Sequence, residues 1–488
     1  MVIESLKYKI LQQFGFAPTQ EQGQALDTFV SFLTDHDPQA VMILRGSAGT
    51  GKTSLSGAIV RTLLQIRQKV MLLAPTGRAA KVFSLGSGAP AYTIHRRIYR
   101  EKAFAGVDGQ FSLNDNLYTD TLFMVDEASM IANMGLGGTT FGSGCLLDDL
   151  VKFVYQGHND RLLLIGDKAQ LPPVGEEESP ALSASVMEGY GLKVYECDLN
   201  EVLRQSQSSG ILYNATLIRQ MITHDAVTGL PLIRFKGFAD IVMMPGAELV
   251  ESLGDSYHHV GMDETMVITR SNKRANIYNN GIRNMVLDRE EELSSGDMLM
   301  IVKNNYFWTE KEKKESGEES AGAVPAFLAN GDRAKVLRVS NYIELYGFRF
   351  ATLLLQLPDY DDYEMQVTGM LDTLQSEAPA LTHEQQEELF RQVEEDYQHF
   401  VPLKADRMKS IRQDAYFNAL QIKYAYAVTC HKAQGGQWAH VYVDQGYMTD
   451  DMLTPDYIHW LYTAFTRATD KLFLVNWPKE QTCEPTDL

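Results

Sequence analysis

The sequence has few cysteines, no long apolar run and fewer basic than acidic residues, and each shortage excludes a class of protein. Its four cysteines, Cys145, Cys197, Cys430 and Cys483, form no CxxC pair, which excludes a zinc ribbon and fits the reducing conditions of the cytoplasm. No uninterrupted apolar stretch approaches the ~20 residues that a bilayer span requires. We therefore expect a cytoplasmic protein with no membrane partner.

The shortage of basic residues argues against a protein coated in positive charge. The 488 residues include 44 Lys and Arg against 63 Asp and Glu, a net charge of −19. The excess of acidic residues is concentrated in one segment, because residues 359–398 contain twelve acidic side chains and a single basic residue, Arg391. The rest of the chain is only modestly acidic and can still carry a site for a polyanion. We expect the acid-rich segment to lie away from such a partner.

Short apolar stretches recur in two parts of the chain and predict two α/β lobes. Each stretch leads into a small-residue turn and a helix-like segment, which is typical of parallel strands with crossover helices. The first set, between residues 40 and 175, is AVMILRG, KVMLLAP, TLFMVDE and RLLLIGD. The second set, from Met266 onward, is MVITRSN, YAVTCHK, HVYVDQG and KLFLVNW.

Two insertions are predicted within these lobes. Asp108-Gly109 between short alternating segments is typical of a tight β-hairpin. A second insert combines short β-like stretches, the charged run TEKEKKESGEES, interpreted as a solvated loop, and an acidic helix after the capping box Thr382-x-x-Gln385. The predicted boundaries are a first lobe at 1–190 with its hairpin insert at 84–118, a second lobe at 191–295 and 420–488, and the second insert with its acidic helical arm at 296–419.

A glycine-rich turn after the first predicted strand indicates nucleotide binding. GSAGTGKT matches G-x-x-x-x-G-K-[ST] and lies between the strand VMILR and the helical segment SLSGAIVRTLL. There, backbone N–H groups and a helix N-terminus converge on phosphates. We expect Lys52 to reach the β- and γ-phosphates of ATP and Thr53 to bind Mg²⁺. The expected nucleotide contacts are Gly46, Ala48, Gly49, Thr50, Gly51, Lys52, Thr53 and Ser54.

Two carboxylates end the predicted strand TLFMV. Beside a P-loop, Asp126 can hold Mg²⁺ and Glu127 can orient and deprotonate the attacking water. Such a pair can also be only a favourable helix N-terminus. Its place after a P-loop favours hydrolysis of ATP over binding alone.

In their order along the chain, these motifs resemble those of superfamily one helicases, in particular the RecD-like and Dda-like group. PTQEQGQAL resembles the Q motif, in which Gln22 would read the adenine and Gln20 is the alternative. LLAPTGRAAKVF and AYTIHRRI resemble motifs Ia and Ib, and DEAS resembles motif II. LLLIGDKAQLPPVG resembles motif III, in which Gln170 would sense the γ-phosphate.

The remaining motifs lie in the second lobe. LNEVLRQS, TCHKAQGGQW and YTAFTRATDKLFLV resemble motifs IV, V and VI. They imply that Arg204 and Arg467 stabilise the γ-phosphoryl when the lobes close, and that Gly435 lies toward the nucleotide. Relatives often carry Glu where this chain has Gln437, so a nucleotide contact at that position stays open.

The resemblance also implies a nucleic-acid path across both lobes, with contacts to backbone phosphates. His95 and His431 can equally brace their loops. The implied contacts are Thr76, Arg78, Lys81, Thr93, His95, Arg96, Thr429, His431 and Lys432.

The fold implied is α/β, with two RecA-like parallel-sheet lobes, a small β-hairpin insert in the first, and an SH3-like β insert with an acidic helical arm in the second. The hairpin would be a strand-separating pin, with Phe104 or Phe111 on the junction base pair, unless it is only a surface hairpin.

The implied activity is that of an ATP- and Mg²⁺-dependent 5′ to 3′ DNA helicase acting on single strands and duplex junctions. We expect a monomer that is compatible with a protein partner in repair or recombination. The alternative is a DNA-stimulated ATPase or remodelling subunit that unwinds only within a partner complex. A P-loop nucleotide kinase is disfavoured, because the second lobe has motifs of its own.

Overall fold

The computed structural model describes residues 2–105, 108–135, 142–202, 208–223, 229–316, 324–325, 327–401 and 403–483. Within these ranges, no helix combines the length and the apolar character needed to cross a membrane.

The first lobe is a six-stranded parallel sheet with strand order β3-β2-β6-β7-β1-β8. Its strands are β1 (Ala40–Gly46), β2 (Lys69–Ala74), β3 (Ala91–Thr93), β6 (Thr121–Val125), β7 (Arg161–Gly166) and β8 (Lys193–Leu199). Its helices are α1 (Val2–Phe14), α2 (Gln20–Leu33), α3 (Lys52–Gln65), α4 (Gly77–Ser87), α5 (Ile94–Ile98), α6 (Leu146–Gln156) and α7 (Ala184–Gly189).

All seven residues of β1 are buried, because helices cover both faces of the sheet. Met42 and Leu44 pack into one apolar cluster, while Val41 and Ile43 pack into another. This alternation follows the two-residue period of a strand and places the end of β1, where the P-loop begins, between two packed layers.

The second lobe is a five-stranded parallel sheet with strand order β16-β10-β17-β18-β9. Its strands are β9 (Ile241–Met244), β10 (Thr265–Thr269), β16 (Ala427–Thr429), β17 (Trp438–Asp444) and β18 (Ala468–Val475). Its helices are α8 (Gly210–Thr223), α9 (Leu249–His259), α10 (Asn272–Gly281), α14 (Cys430–Ala433) and α15 (Pro455–Phe465).

The insert in the second lobe contains a closed five-stranded barrel, and a helical arm packs against it. Alternate residues of one strand, Leu353, Leu355 and Leu357, face a core that is continuous with that of the second lobe. The barrel strands are β11 (Met298–Ile301), β12 (Arg333–Leu345), β13 (Phe348–Leu357), β14 (Tyr363–Met370) and β15 (Leu420–Tyr424). The helices are α11 (Phe307–Ser316) and, in the arm, α12 (His383–Gln398) and α13 (Lys404–Arg412).

Several sequence predictions about these elements were wrong. The first lobe does not end at residue 190, because β8 pairs with β1, and the second does not resume at 420, because β15 closes the barrel. Residues 307–316 form α11 instead of a loop.

In the hairpin of β4 (Tyr99–Ala105) and β5 (Asp108–Leu113), Ala105 pairs with Asp108. Asp108 and Gly109 therefore belong to β5 and do not form the turn.

Candidate nucleotide site and strand interface

The P-loop connects β1 to α3 in a conformation that glycine makes possible. Gly49 and Gly51 have φ of 77° and 80°, in the left-handed region that side chains disfavour. A Cβ on Gly46 would lie 2.7 Å from Cγ of Lys52. The Lys52 ammonium donates to the carbonyls of Gly46 and Ser47, at 3.1 Å for the latter. The loop thus holds its cation over its own backbone, next to the amides that begin α3.

Gln22 does not have the free amide that reading an adenine requires. Its side chain caps α2 by accepting from the Thr19 backbone N–H at 3.0 Å, and its Nε2 donates to the Thr50 carbonyl at 2.9 Å. Gln22 is buried whereas Gln20 is exposed. The Gln22 amide thus caps α2 through its oxygen and braces the P-loop through its nitrogen in this conformation, and its contact with adenine stays a prediction.

Asp126 and Glu127 lie at the end of β6. In the sheet, β7 separates β6 from β1, the strand that leads into the P-loop. The Asp126 backbone N–H donates to the Leu73 carbonyl of β2 at 3.0 Å, and the Glu127 N–H donates to Asp126 Oδ1 at 2.9 Å. Glu127 has a φ of 53°, a left-handed conformation that costs ~1–3 kcal/mol and occurs often at functional sites. Burial, and then the charge of Glu127, raise the pKa of the Asp126 carboxyl to about 7. A divalent cation would relieve this crowding of negative charge, so the pair fits Mg²⁺.

A buried chain of polar groups joins motif II to motif VI across the lobes. With its amide oriented to satisfy both neighbours, Gln170 donates to Glu127 Oε2 at 3.3 Å and accepts from Arg467 Nη2 at 3.1 Å. Arg467 is 2% exposed and also donates to the carbonyls of Thr463 and Gly436. The structure thus brings three predicted site residues together, with the guanidinium of the second lobe linked to the carboxylate of the first.

A tyrosine that the sequence analysis missed adds a second link at the nucleotide site. The Tyr462 hydroxyl accepts from the Ala48 N–H of the P-loop at 3.0 Å and donates to Asp167 Oδ2 at 2.6 Å. Nearby, Gln434 Nε2 donates to the Leu171 carbonyl at 2.7 Å. The only sequence signal for Tyr462 was its hydroxyl group within the apolar helix segment YIHWLYTAF. Motifs V and VI therefore contact the loop and motif III directly.

The second predicted arginine cannot be placed, because Arg204 lies outside the described residues. Another arginine from the second lobe, Arg219 of α8, donates to the Ser47 hydroxyl in the P-loop. The sequence offered no motif that would single out Arg219. Within the described part of α8, Arg219 is the arginine that reaches the P-loop.

Three of the first-lobe residues predicted to contact a strand, Thr76, Arg78 and Lys81, lie at α4, next to the barrel insert. Arg78 forms an ion pair of 3.4 Å with Asp359, whose side chain is 1% exposed, and Lys81 donates to the Pro358 carbonyl. The Thr76 hydroxyl caps α4 by accepting from the Ala79 N–H. In this structure Arg78 and Lys81 bind the barrel insert, whereas Thr76 caps its own helix.

A buried carboxyl of the barrel also lies against α4. A Cβ on Gly77 would stand 2.4 Å from Asp332 Oδ1, and burial raises the pKa of Asp332 to about 7. Gly435, predicted to contact nucleotide, instead has α4 as its nearest neighbour, since a Cβ there would lie 3.0 Å from Ala79 Cβ. One side of Gly435 therefore faces α4, and its contact with nucleotide stays a prediction.

The other predicted strand contacts lie at the ends of β3 and β16. Thr93 caps α5 through the Arg96 N–H, and the Lys432 ammonium donates to Asn330 of the barrel. Burial lowers the pKa of His95 to about 4 and also lowers that of His431. Both imidazoles are neutral near pH 7, which favours the bracing interpretation over phosphate binding. Thr429 is half-buried, where β16 ends.

The hairpin packs against the barrel insert through an aromatic stack. The Phe111 ring lies 4.5 Å from that of Tyr306, which lies 4.7 Å from that of Phe327. Phe111 is thus a brace between the hairpin and the insert in this conformation, contrary to the prediction of a ring open to a base pair. The side chain of Phe104 lies outside the described part of the chain.

Comparison with known proteins agrees with this arrangement of two lobes. Residues 17–229 match the family model described as an AAA domain, and residues 424–475 match that of a UvrD-like helicase C-terminal domain. The chain is 31% identical to the ATP-dependent RecD2 DNA helicase of Deinococcus radiodurans over 32% of this chain and 18% of that protein. It is 25% identical to the ATP-dependent DNA helicase dda of Enterobacteria phage T4 over 53% of this chain and 55% of that protein.

These matched stretches thus span less than a fifth of the RecD2 protein and about half of the phage protein. Among solved structures, Pif1 helicase from Bacteroides in complex with ADP-AlF3 and single-stranded DNA aligns with a TM-score of 0.46 and 13% identity. That alignment covers 96% of this chain and 95% of the other.

Proposed function

We propose that the chain is a superfamily one helicase of the RecD-like and Dda-like group and acts as an ATP-dependent DNA helicase. The matches at residues 17–229 and 424–475 and the partial similarity to the RecD2 and dda helicases support this proposal. The chain moves along single-stranded DNA from 5′ to 3′ and unwinds duplexes as a monomer. The barrel is its SH3-like insert. The observation that carries the proposal is the Gln170 amide between Glu127 and Arg467, because it links the carboxylate of one lobe to the arginine of the other.

The proposed roles follow from the chemistry of phosphoryl transfer. Thr53 and Asp126 would hold Mg²⁺, which would neutralise charge on the β- and γ-phosphates. Lys52 binds the same phosphates, and Glu127 orients and deprotonates the attacking water. Arg467 stabilises the charge on the leaving phosphoryl group, and Gln170 reports its presence. Because Arg467 is supplied by the second lobe, turnover depends on how the lobes are arranged, which couples hydrolysis to movement.

A second candidate is a DNA-stimulated ATPase that unwinds only within a partner complex. The contacts that favour it are those covering the proposed strand face, where Arg78 pairs with Asp359 and Phe111 stacks on Tyr306. A partner that releases the barrel and the hairpin would then be needed for unwinding.

Both candidates are tested by one assay on the purified chain. We expect single-stranded DNA to stimulate ATP hydrolysis, and duplex with a 5′ tail to be unwound faster than duplex with a 3′ tail. Stimulated hydrolysis without unwinding of either substrate would favour the partner-dependent ATPase. Hydrolysis that DNA leaves unchanged would contradict both candidates.

Replacing Tyr462 by phenylalanine should lower kcat for ATP about tenfold. The change removes a buried hydroxyl, so the Ala48 N–H and Asp167 Oδ2 each lose a hydrogen bond. We expect this to weaken the coupling between the lobes by ~1.4 kcal/mol. Steady-state ATPase kinetics in the presence of single-stranded DNA measure the effect, and KM for ATP should stay within about twofold.

The matched control is Tyr457→Phe on the same helix, because the Tyr457 hydroxyl donates to Gln445 Oε1, away from the P-loop. Equal loss of kcat in both variants would mean that Tyr462 acts only through helix packing.

A further inference from the structure

A cavity of about 1210 Å³ lies between the two inserts, outside the nucleotide site. His95 and Phe111 line it from the first lobe, Tyr306 and Lys311 from the barrel insert, and Arg412 from the arm. Pockets for small molecules occupy ~300–1,000 Å³. The size of this cavity and its walls from three parts of the chain suit an extended occupant better than a small ligand.

The lining of the cavity is positive although the chain as a whole is negative. The described lining residues include five cations against two carboxylates, Glu310 and Glu315, in a chain with a net charge of −19. The cations are Lys303, Lys311, Lys314, Lys409 and Arg412. Positive charge gathered in one groove of an acidic protein selects a polyanion.

The two helices of the arm divide their charges with respect to this cavity. Among described lining residues, α12 contributes only His383, Gln386 and Leu389, although its sequence HEQQEELFRQVEEDYQ is strongly acidic. In contrast, α13 contributes Lys409 and Arg412. Leu389 and Ile411 are buried in one apolar cluster that holds both helices to the barrel. The arm therefore presents basic side chains to the cavity and keeps its acidic side chains off the wall.

The cavity also adjoins two of the proposed strand contacts. Asn330 lines it and accepts from the Lys432 ammonium of motif V, while His95 brings motif Ib to the other wall. The cavity is therefore bordered by a residue of motif Ib and by the partner of a motif V lysine.

We propose that a single phosphodiester strand passes through this cavity and that α11 and α13 bind its phosphates through Lys311, Lys314, Lys409 and Arg412. This inference rests on the proposed function and extends it, because it makes the arm part of the strand site. The acid-rich α12 then borders the strand site, although the residues with which it lines the cavity, among those described, are not acidic. Binding of this kind is electrostatic and independent of base sequence.

The test removes two cavity charges and compares the result with removal of two other charges from the same arm. The cavity variant is Lys409→Gln with Arg412→Gln. The control is Arg391→Gln with Lys404→Gln, two exposed residues that do not line the cavity. All four side chains are exposed, so both variants should fold, and equal Tm values check this. Affinity for a fluorescent oligothymidylate and an oligouridylate of equal length is measured by anisotropy over a series of salt concentrations.

We expect the cavity variant to bind about tenfold more weakly at low salt. Its slope of log K against log salt should be shallower by ~1.4, since each lost phosphate contact on a single strand contributes ~0.7. The control should keep the slope of the unmodified chain. Equal losses with both oligonucleotides mean that the phosphates suffice, and a loss with one alone identifies the strand as DNA or RNA.

Equal slopes in the two variants, with ATPase of the unmodified chain still stimulated by DNA, would overturn the role of the arm alone. If the unmodified chain bound neither oligonucleotide and showed no stimulation, the proposed function itself would be wrong.

Discussion

ATP turnover should fall by about 10³-fold when Lys52 is replaced by alanine. Lys52 is the one cation in GSAGTGKT, and its ammonium already lies over the loop, on the carbonyls of Gly46 and Ser47. Without Lys52, the negative charge that develops on the phosphates would lose its nearest positive partner. Removal of one preorganised donor from such a site costs ~10²–10³ in rate. Loss of a full positive charge places the expectation at the upper end.

The measurement is phosphate release at saturating ATP and single-stranded DNA. Lys152→Ala, which removes an exposed lysine from α6, is the matched control and should retain full activity. Because Lys52 donates to loop carbonyls, its loss could also loosen the P-loop, so Tm is compared as well. A Lys52→Ala protein that folds and turns over ATP within about tenfold of the unmodified rate would refute its assigned role.

Glu127→Gln should slow hydrolysis by ~10²–10⁴-fold and leave ATP binding intact, because that range is typical for loss of a general base. Glutamine keeps the size of the side chain and can keep a contact with Gln170, but it cannot take a proton from water. Single-turnover hydrolysis reports the chemical step, and binding of a fluorescent ATP analogue reports affinity.

The control for this change is Glu188→Gln at an exposed position of α7. Glu127→Gln is expected to accumulate in the ATP-bound state and to show whether that state grips DNA differently. Hydrolysis at the unmodified rate would remove Glu127 from the mechanism. Loss of ATP binding together with hydrolysis would instead assign it to the binding of metal or phosphate.

Local sequence signals located the P-loop turn and the carboxylates at the ends of strands but misplaced the boundaries of the inserts. GSAGTGKT and the Asp126-Glu127 pair lie at strand ends, where the backbone that follows a parallel strand is set by nearby residues. The hairpin turn was misplaced by two residues, since Asp-Gly is a strong turn signal that strand pairing overrode at Ala105 and Asp108. The charged run at 309–320 was interpreted as a solvated loop, yet α11 includes residues 309–316 of it and buries Trp308 and Thr309.

Gln22 and Phe111 illustrate why motif positions did not translate directly into contacts. Each was assigned a ligand from its place in a motif, but each is satisfied by another part of the protein. Gln22 bonds to the P-loop backbone, and Phe111 stacks on Tyr306. A side chain's partner depends on what packs beside it, and a single sequence contains no record of that packing.

The sequence by itself determined the two parallel-sheet lobes, the P-loop and the carboxylates beside it, because apolar periodicity and turn chemistry act over a few residues. Only the tertiary structure decided which groups meet across the lobes. The bridge from Glu127 through Gln170 to Arg467, the hydroxyl of Tyr462 on the P-loop and the basic wall that the acidic arm presents to the cavity all join residues far apart in the chain. The positions of these residues follow from the packing of whole helices and strands. Burial of apolar surface drives that packing but is non-directional, so such contacts are set only once the fold has formed.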